Sequence, residues 1–153
     1  MSCAVVNTPL GHIKITFDDL DDAVIGITET DEPLKQPVGS VVLSQLCFQL
    51  REYFETGELS FRGAVKYSGT PFQCAVWEQC ARIKPGETVT YSGIARAIGR
   101  PKAVRAVGGA LNRNPLLFLI PCHRVVAQNG LGGFRLGLEA KKFLLDLEKN
   151  DKF

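Results

Sequence analysis

The sequence predicts an α+β chain in two parts: a small sheet with one helix over residues 1–68, then a mostly helical domain over 69–153 that contains a helix-turn-helix. Three observations carry this reading. Hydrophobic alternation of strand type fills the first part and gives way to helical spacing beyond residue 40. Charge changes sign between the parts: residues 1–68 hold five Lys or Arg against ten Asp or Glu, and residues 69–153 hold thirteen against six. Finally, Gly99, Arg100 and Pro101 interrupt two short helical stretches.

Taken in order, "HIKITF" and "AVIGIT" alternate around "DDLDD", which reads as strands joined by a turn within residues 4–27. "GSVVLSQLCFQLREYFETG" then sets Val42, Leu46, Leu50, Tyr53 and Phe54 at helical spacing, with Gly57 as the stop. Thr70 and Pro71 form an N-cap and first-turn pair for a helix running to Ile83. Two shorter helices follow at 91–98 and 102–111, the spacing of a helix-turn-helix. In the second of them Val104, Val107 and Leu111 share the buried stripe, which turns Lys102, Arg105, Ala106 and Gly109 outward. A last helix covers 138–149.

Composition narrows the class. At 45% hydrophobic and 22% charged residues the chain is globular rather than disordered. The longest apolar run, residues 116–120, is far short of the roughly 20 that a membrane helix needs, and "MSCAVVNTPLG" lacks the regions of a signal peptide. The expected location is the cytoplasm, or the nucleus of a eukaryotic cell, with no membrane partner. Five cysteines without a CxxC pair fit free thiols in a reducing compartment. Only His12 and His123 are present and no thiol pair has finger-like spacing, so zinc is not expected; Cys3 with His12 is the one arrangement that further ligands could complete. The basic second part suits a nucleic-acid partner, or is ordinary surface charge.

Chemistry points to "LIPCHRVV", residues 119–126. A thiol nucleophile reacts as thiolate and needs a base. Neighbouring side chains of a strand face opposite ways, so His123 serves Cys122 only if the chain turns or a water bridges them, and Pro121 disfavours a central strand. The orienting carboxylate could be Glu139, Asp146 or Glu148 of the last helix; the sequence leaves all three open. Gly108 and Gly109 each cost a helix about 1 kcal/mol, which asks for close approach of the backbone to another molecule, or for a helix fraying into a turn. Tyr91 reads by default as an aromatic packed over Ala95 and Ile98.

"GTPFQCAVWEQCARIKPGETVTYSGIARAIGRP", "RPKAVRAVGGALNRNPL", "IPCHRVV" and "GLEAKKFLLDLE" together resemble the O6-alkylguanine-DNA alkyltransferase family, continuously from residue 69 to 148, with a weaker match at "TPLGHIKI". The resemblance implies a ribonuclease H-like first domain and a winged-helix-like second one. It implies a monomer without a dissociable cofactor that flips O6-alkylguanine out of double-stranded DNA and takes the alkyl group onto Cys122. His123 would act through a water, oriented by Glu148, with Asn114 as hinge and Tyr91 as the residue that turns the nucleotide. Arg105 would fill the vacated stack, and Tyr91, Ser92, Arg100, Lys102, Ala103, Ala106 and Gly109 would accompany it on the DNA. Leu117, Val125, Gly133 and Phe134 would form the base pocket. Phe134 stands where many members carry tyrosine, Leu116 and Leu117 threaten to narrow the pocket, and the histidine count argues against the N-terminal zinc site of some members. The rivals are a DNA-binding module without chemistry, which the presence of Cys122 disfavours, and a cysteine hydrolase, which leaves the basic helix-turn-helix unexplained.

Overall fold

A computed structural model describes residues 1–149; the last four residues of the expected second domain lie outside the described residues. The fold is mixed α+β and divides into two compact units, Met1–Tyr67 with Pro115–Leu117, and Ser68–Asn114 with the chain from Phe118 onward.

In the first unit β1 (Ser2–Thr8), β2 (Gly11–Asp18) and β3 (Ala23–Glu29) form an antiparallel meander, and β4 (Ala64–Val65) joins β3 in parallel. Alternation in β2 buries Ile13, Ile15 and Phe17 on one face. That face is covered by α1 (Val41–Thr56), whose first turn is capped by the Ser40 hydroxyl accepting from the Leu43 N–H. Gly57, at φ 79°, closes the other end. The buried stripe of α1 is Leu43, Leu46, Cys47, Leu50 and Tyr53, so Val42 and Phe54 flank it rather than belong to it. Pro115–Leu117 also belongs here: the Ile27 N–H donates to the Pro115 carbonyl at 3.0 Å and the Leu117 N–H to the Ile27 carbonyl at 3.1 Å.

The second unit opens with α2 (Pro71–Cys80), started by a capping box in which Thr70 and Gln73 satisfy each other's backbone N–H groups. It ends three residues before Ile83, because the Arg82 and Ile83 N–H groups bond three residues back and tighten the last turn. Then come β5 (Val89–Thr90), α3 (Tyr91–Ala97) and α4 (Val104–Asn112). The start of α4 falls two residues later than the spacing suggests, since the Ala103 N–H closes a turn on the Arg100 carbonyl. Val104 consequently sits at the first helical position and is 38% exposed, outside the stripe expected for it; Val107, Ala110 and Leu111 form that stripe instead. The Trp77 indole N–H donates to the Ala110 carbonyl at 2.8 Å and ties α2 to α4. β6 (Val125–Val126) pairs in parallel with β5, and α5 (Leu138–Lys149) turns Lys141, Leu144, Leu145 and Glu148 inward.

Candidate active site and nucleic-acid interface

Between Pro121 and β6 the chain makes one 3-10 turn, Cys122–Arg124, in place of a strand. The Cys122 N–H donates to the Ile120 carbonyl at 2.8 Å and the Arg124 N–H to the Pro121 carbonyl at 2.9 Å. Here the chain turns, so Cys122 and His123 are not held on opposite faces of a strand. Cys122 is 7% exposed, and burial pushes its thiol up against a hydrogen bond from Asn114 and the charges of Arg135 and Lys141. Burial therefore favours the protonated thiol over the thiolate. Asn114 is itself fixed by donating to the Ile120 carbonyl at 2.6 Å. Burial also raises Cys47, to about 11, and Cys80, which makes them inert packing thiols.

Glu148 is the carboxylate that meets His123. Its Oε2 lies 2.7 Å from His123 Nε2, and Arg124 grips both of its oxygens at 2.8 Å through Nε and Nη2. Arg124 also donates to the Ile83 carbonyl at 2.6 Å. Burial alone would raise the Glu148 carboxyl, but hydrogen bonds from His123 and Arg124 outweigh it and hold it at about 2. Burial lowers His123 despite that carboxylate, so the imidazole is neutral. With the Glu148 carboxylate as acceptor at Nε2, the proton of the neutral ring sits there and Nδ1 is its basic nitrogen.

Cys122 borders a cavity of about 300 Å³ walled by Tyr91, Gly108, Leu111, Phe134 and Arg135. Gly133 lines it as well. Leu117 and Val125 do not: Leu117 is committed by its N–H to Ile27 in the first unit, and Val125 is buried in the β5–β6 pairing. Leu116 bridges to Ile27 and does not narrow the cavity either. Tyr91 is more than a residue packed on its own helix. Its hydroxyl donates to the Gly133 carbonyl at 3.3 Å and accepts the Gly133 N–H at 3.2 Å. Gly132 has φ +75°, and a Cβ there would come within 2.7 Å of the Tyr91 ring and hydroxyl, so glycine is needed twice over. Phe134 meets the His123 ring edge to face at 6.3 Å.

Around α4, Arg100, Lys102, Arg105, Ala106 and Gly109 are exposed, whereas Ser92 and Ala103 are half-buried. No side chain caps the N-terminus of α4. A Cβ on Gly109 would meet nothing within 4 Å, and one on Gly108 only Tyr91 at 3.9 Å. Packing within the protein therefore demands neither glycine. Cys3 and His12 gather no further ligands: His12 Nδ1 bonds to the Glu32 carbonyl, and among the described residues no group of three His, Cys, Asp or Glu is placed to hold a metal. No described helix is long and apolar enough to cross a membrane.

Three site residues escape the sequence reading. Arg124 locks Glu148, and Arg135 Nη1 ties the carbonyls of Asn112 and Asn114 at 3.3 and 2.9 Å. Lys141 is fully buried, its Nζ donating to the Val125 and Gly133 carbonyls. A signal for it existed: Lys141, Leu144, Leu145 and Glu148 keep the spacing of one buried stripe, so two charges stand where apolar residues belong.

Comparison with known proteins gives a consistent picture. The family described as 6-O-methylguanine DNA methyltransferase, DNA binding domain, matches residues 71–150. A methylated-DNA–protein-cysteine methyltransferase of Methanosarcina barkeri is 49% identical over 96% of each chain. A protein of Acanthamoeba polyphaga mimivirus named as a probable enzyme of the same kind is 41% identical over 99% of each. Among solved structures, Mycobacterium tuberculosis OGT in complex with DNA superposes with a TM-score of 0.85 at 31% identity, covering 97% of this chain and 93% of that one.

Proposed function

Because the chain belongs to the 6-O-methylguanine DNA methyltransferase family, we propose that it repairs duplex DNA by moving the alkyl group of an O6-alkylguanine onto its own Cys122, once and irreversibly. One observation carries the reading: a buried thiol and a neutral histidine share a single turn at the wall of a cavity of small-molecule size. We read the first unit as ribonuclease H-like and the second as winged-helix-like, acting as a monomer in the cytoplasm or nucleus.

In this reading the damaged nucleotide rotates out of the stack through the minor groove. Arg100, Lys102 and the uncapped start of α4 at Ala103 take phosphate contacts, with Ser92 beside them. The small face of Ala106 and Gly109 lets the backbone approach the groove, and Arg105 fills the gap left in the duplex. Tyr91 helps turn the nucleotide and donates to guanine N3, while Gly133 and Phe134 border the base.

Chemistry then needs one proton transfer and one displacement. A water relays the Cys122 proton to Nδ1 of His123, whose other nitrogen Glu148 holds. Sγ attacks the alkyl carbon, the bond from that carbon to O6 breaks, and its electron pair stays on the guanine. The proton taken from the thiol ends on the purine. Since burial keeps the resting thiol protonated, a standing thiolate is not the source of speed; alignment of sulfur with the alkyl carbon and hydrogen bonding to the departing purine are. The thioether product offers water no carbonyl to attack, so each molecule acts once and no cofactor enters.

Intact-protein mass after incubation with duplex DNA containing O6-methylguanine tests this. Wild type should gain one methylene, stoichiometrically and without turnover, and Cys122→Ser should gain nothing. Binding without any gain in mass favours a lesion-binding module, and indifference to the DNA favours a hydrolase.

A further inference from the structure

In the first unit, away from Cys122, a second thiol meets an amine. Lys35 Nζ donates to Cys3 Sγ at 3.5 Å, with the thiol half-buried and the lysine exposed. The backbone explains the contact. β1 is an edge strand, and Lys35 pairs antiparallel with Val5 on its free side: the Val5 N–H donates to the Lys35 carbonyl at 2.9 Å and the Lys35 N–H to the Val5 carbonyl at 3.0 Å. Opposed residues share a face, and Cys3, two residues from Val5, shares it too. Cys3 and Lys35 are therefore diagonal neighbours within reach of a long side chain. The next N–H groups of such a ladder would come from residues two places to either side of Lys35, and these are Pro33 and Pro37, which have none. One residue pair thus holds the strap of residues 31–39 against the edge of β1, an edge that needs cover.

The surroundings single out this pair. Lys14, opposite Val5 in β2, also feels Cys3, but its ammonium is taken up by Glu32 at 2.7 Å. Cys47 and Cys80 are buried and pushed up by burial, and Cys74 donates to the Gly69 carbonyl. Cys3 alone has an amine on its sulfur among the described residues, in the electropositive, partly exposed setting where thiols are oxidised. We propose that Cys3 and Lys35 form a modification site at which a peroxide oxidises the thiol and the lysine amine then closes a reversible sulfur–nitrogen bond, stapling the strap to β1. Sγ, as thiolate, attacks one peroxide oxygen, the O–O bond breaks, and the departing hydroxide is protonated to water. Sulfur gives up two electrons and the peroxide accepts them. Nζ, after losing a proton to solvent, attacks the sulfenic sulfur; the S–O bond breaks, and hydroxide leaves with the electron pair and takes a proton from nitrogen to become a second water. Thiol, amine and peroxide thus give one S–N bond and two waters. Added thiol reverses the link: one molecule displaces the amine and leaves a mixed disulfide, and a second frees Cys3. None of this depends on the chemistry of Cys122.

Treatment of the whole chain with hydrogen peroxide, followed by intact mass and peptide mapping, tests this. Wild type should become lighter by about two mass units, the two hydrogens lost, and should yield a joined pair of peptides containing Cys3 and Lys35, both changes being undone by dithiothreitol. Lys35→Arg keeps the positive charge but offers no amine, so it should stop at an oxidised Cys3 without a link, and in Cys3→Ser neither position should change. Linked wild type should melt about 5–10 °C above the reduced protein, because the bond joins positions 32 apart in the chain. Wild-type peptides in which Cys3 stays a thiol, carries oxygen while Lys35 is unlinked, or joins another cysteine overturn the proposal. So does a loss of two hydrogens undiminished in Lys35→Arg, and an unchanged melting temperature in the linked protein overturns the stapling.

Discussion

Replacing Glu148 by glutamine keeps the shape of a side chain with no exposure and removes one charge. A carboxyl held at about 2 instead of 4.5 corresponds to roughly 3 kcal/mol of native-state stabilisation, taking 1.36 kcal/mol per pH unit. The loss expected from leaving Arg124 buried without its partner has the same size, about 3–5 kcal/mol. The sign follows from linkage: a carboxyl lowered on folding stabilises fully above its unfolded value and loses that contribution as pH falls through the folded one. The window here runs from 4.5 down to about 2, and roughly 2 kcal/mol should be gone by pH 3. Urea unfolding of wild type and Glu148→Gln at pH 7 and pH 3 measures it. Wild type should be more stable by about 3 kcal/mol at the higher pH and by little over 1 at the lower. A gap that does not shrink on acidification refutes the assignment of the charge to Glu148, and no gap at pH 7 refutes the claim that the Arg124 and His123 bonds stabilise the fold.

Two further substitutions separate chemistry from packing. Tyr91→Phe should slow methyl transfer about a hundredfold, as loss of one well-placed donor does, while leaving thiol titration of Cys122 largely unchanged; a large change in that titration contradicts the division of labour between the two. Gly109→Ala adds a Cβ that meets nothing within 4 Å, so it should stabilise α4 by roughly 0.5–1 kcal/mol and weaken duplex binding. A stabilised variant with unaltered duplex affinity removes that face of α4 from the DNA interface.

Local rules made much of the fold legible. The Thr70, Pro71 and Gln73 run announces a capped helix, Gly57 its counterpart at the end of α1, and alternation over "HIKITF" a half-buried strand. Boundaries were less so, because they depend on single bonds: the Ala103 N–H turning back to Arg100 delays α4 and carries Val104 out of its core. At the site, the cysteine and histidine were visible as residue types, and Glu148 was one carboxylate among three. The family resemblance singles it out from Glu139 and Asp146, and its bonds to His123 and Arg124 supply the physical reason. Leu117 shows the opposite failure. The family resemblance implied the base pocket for it, whereas its backbone bonds to β3 and it does not line the cavity beside Cys122.

Trp77 is the chain's single tryptophan, and it sits in the second unit with its indole bonded to α4. Its fluorescence is therefore a private channel: emission reports the melting of one unit, whereas far-ultraviolet dichroism sums helices and strands from both. Coincident curves would mark a single cooperative system, and separated ones would give each unit its own midpoint. The indole's hydrogen bond ends on the helix that carries Arg105, so the same unlabelled signal would follow that helix as the protein engages a duplex and again after its thiol is spent.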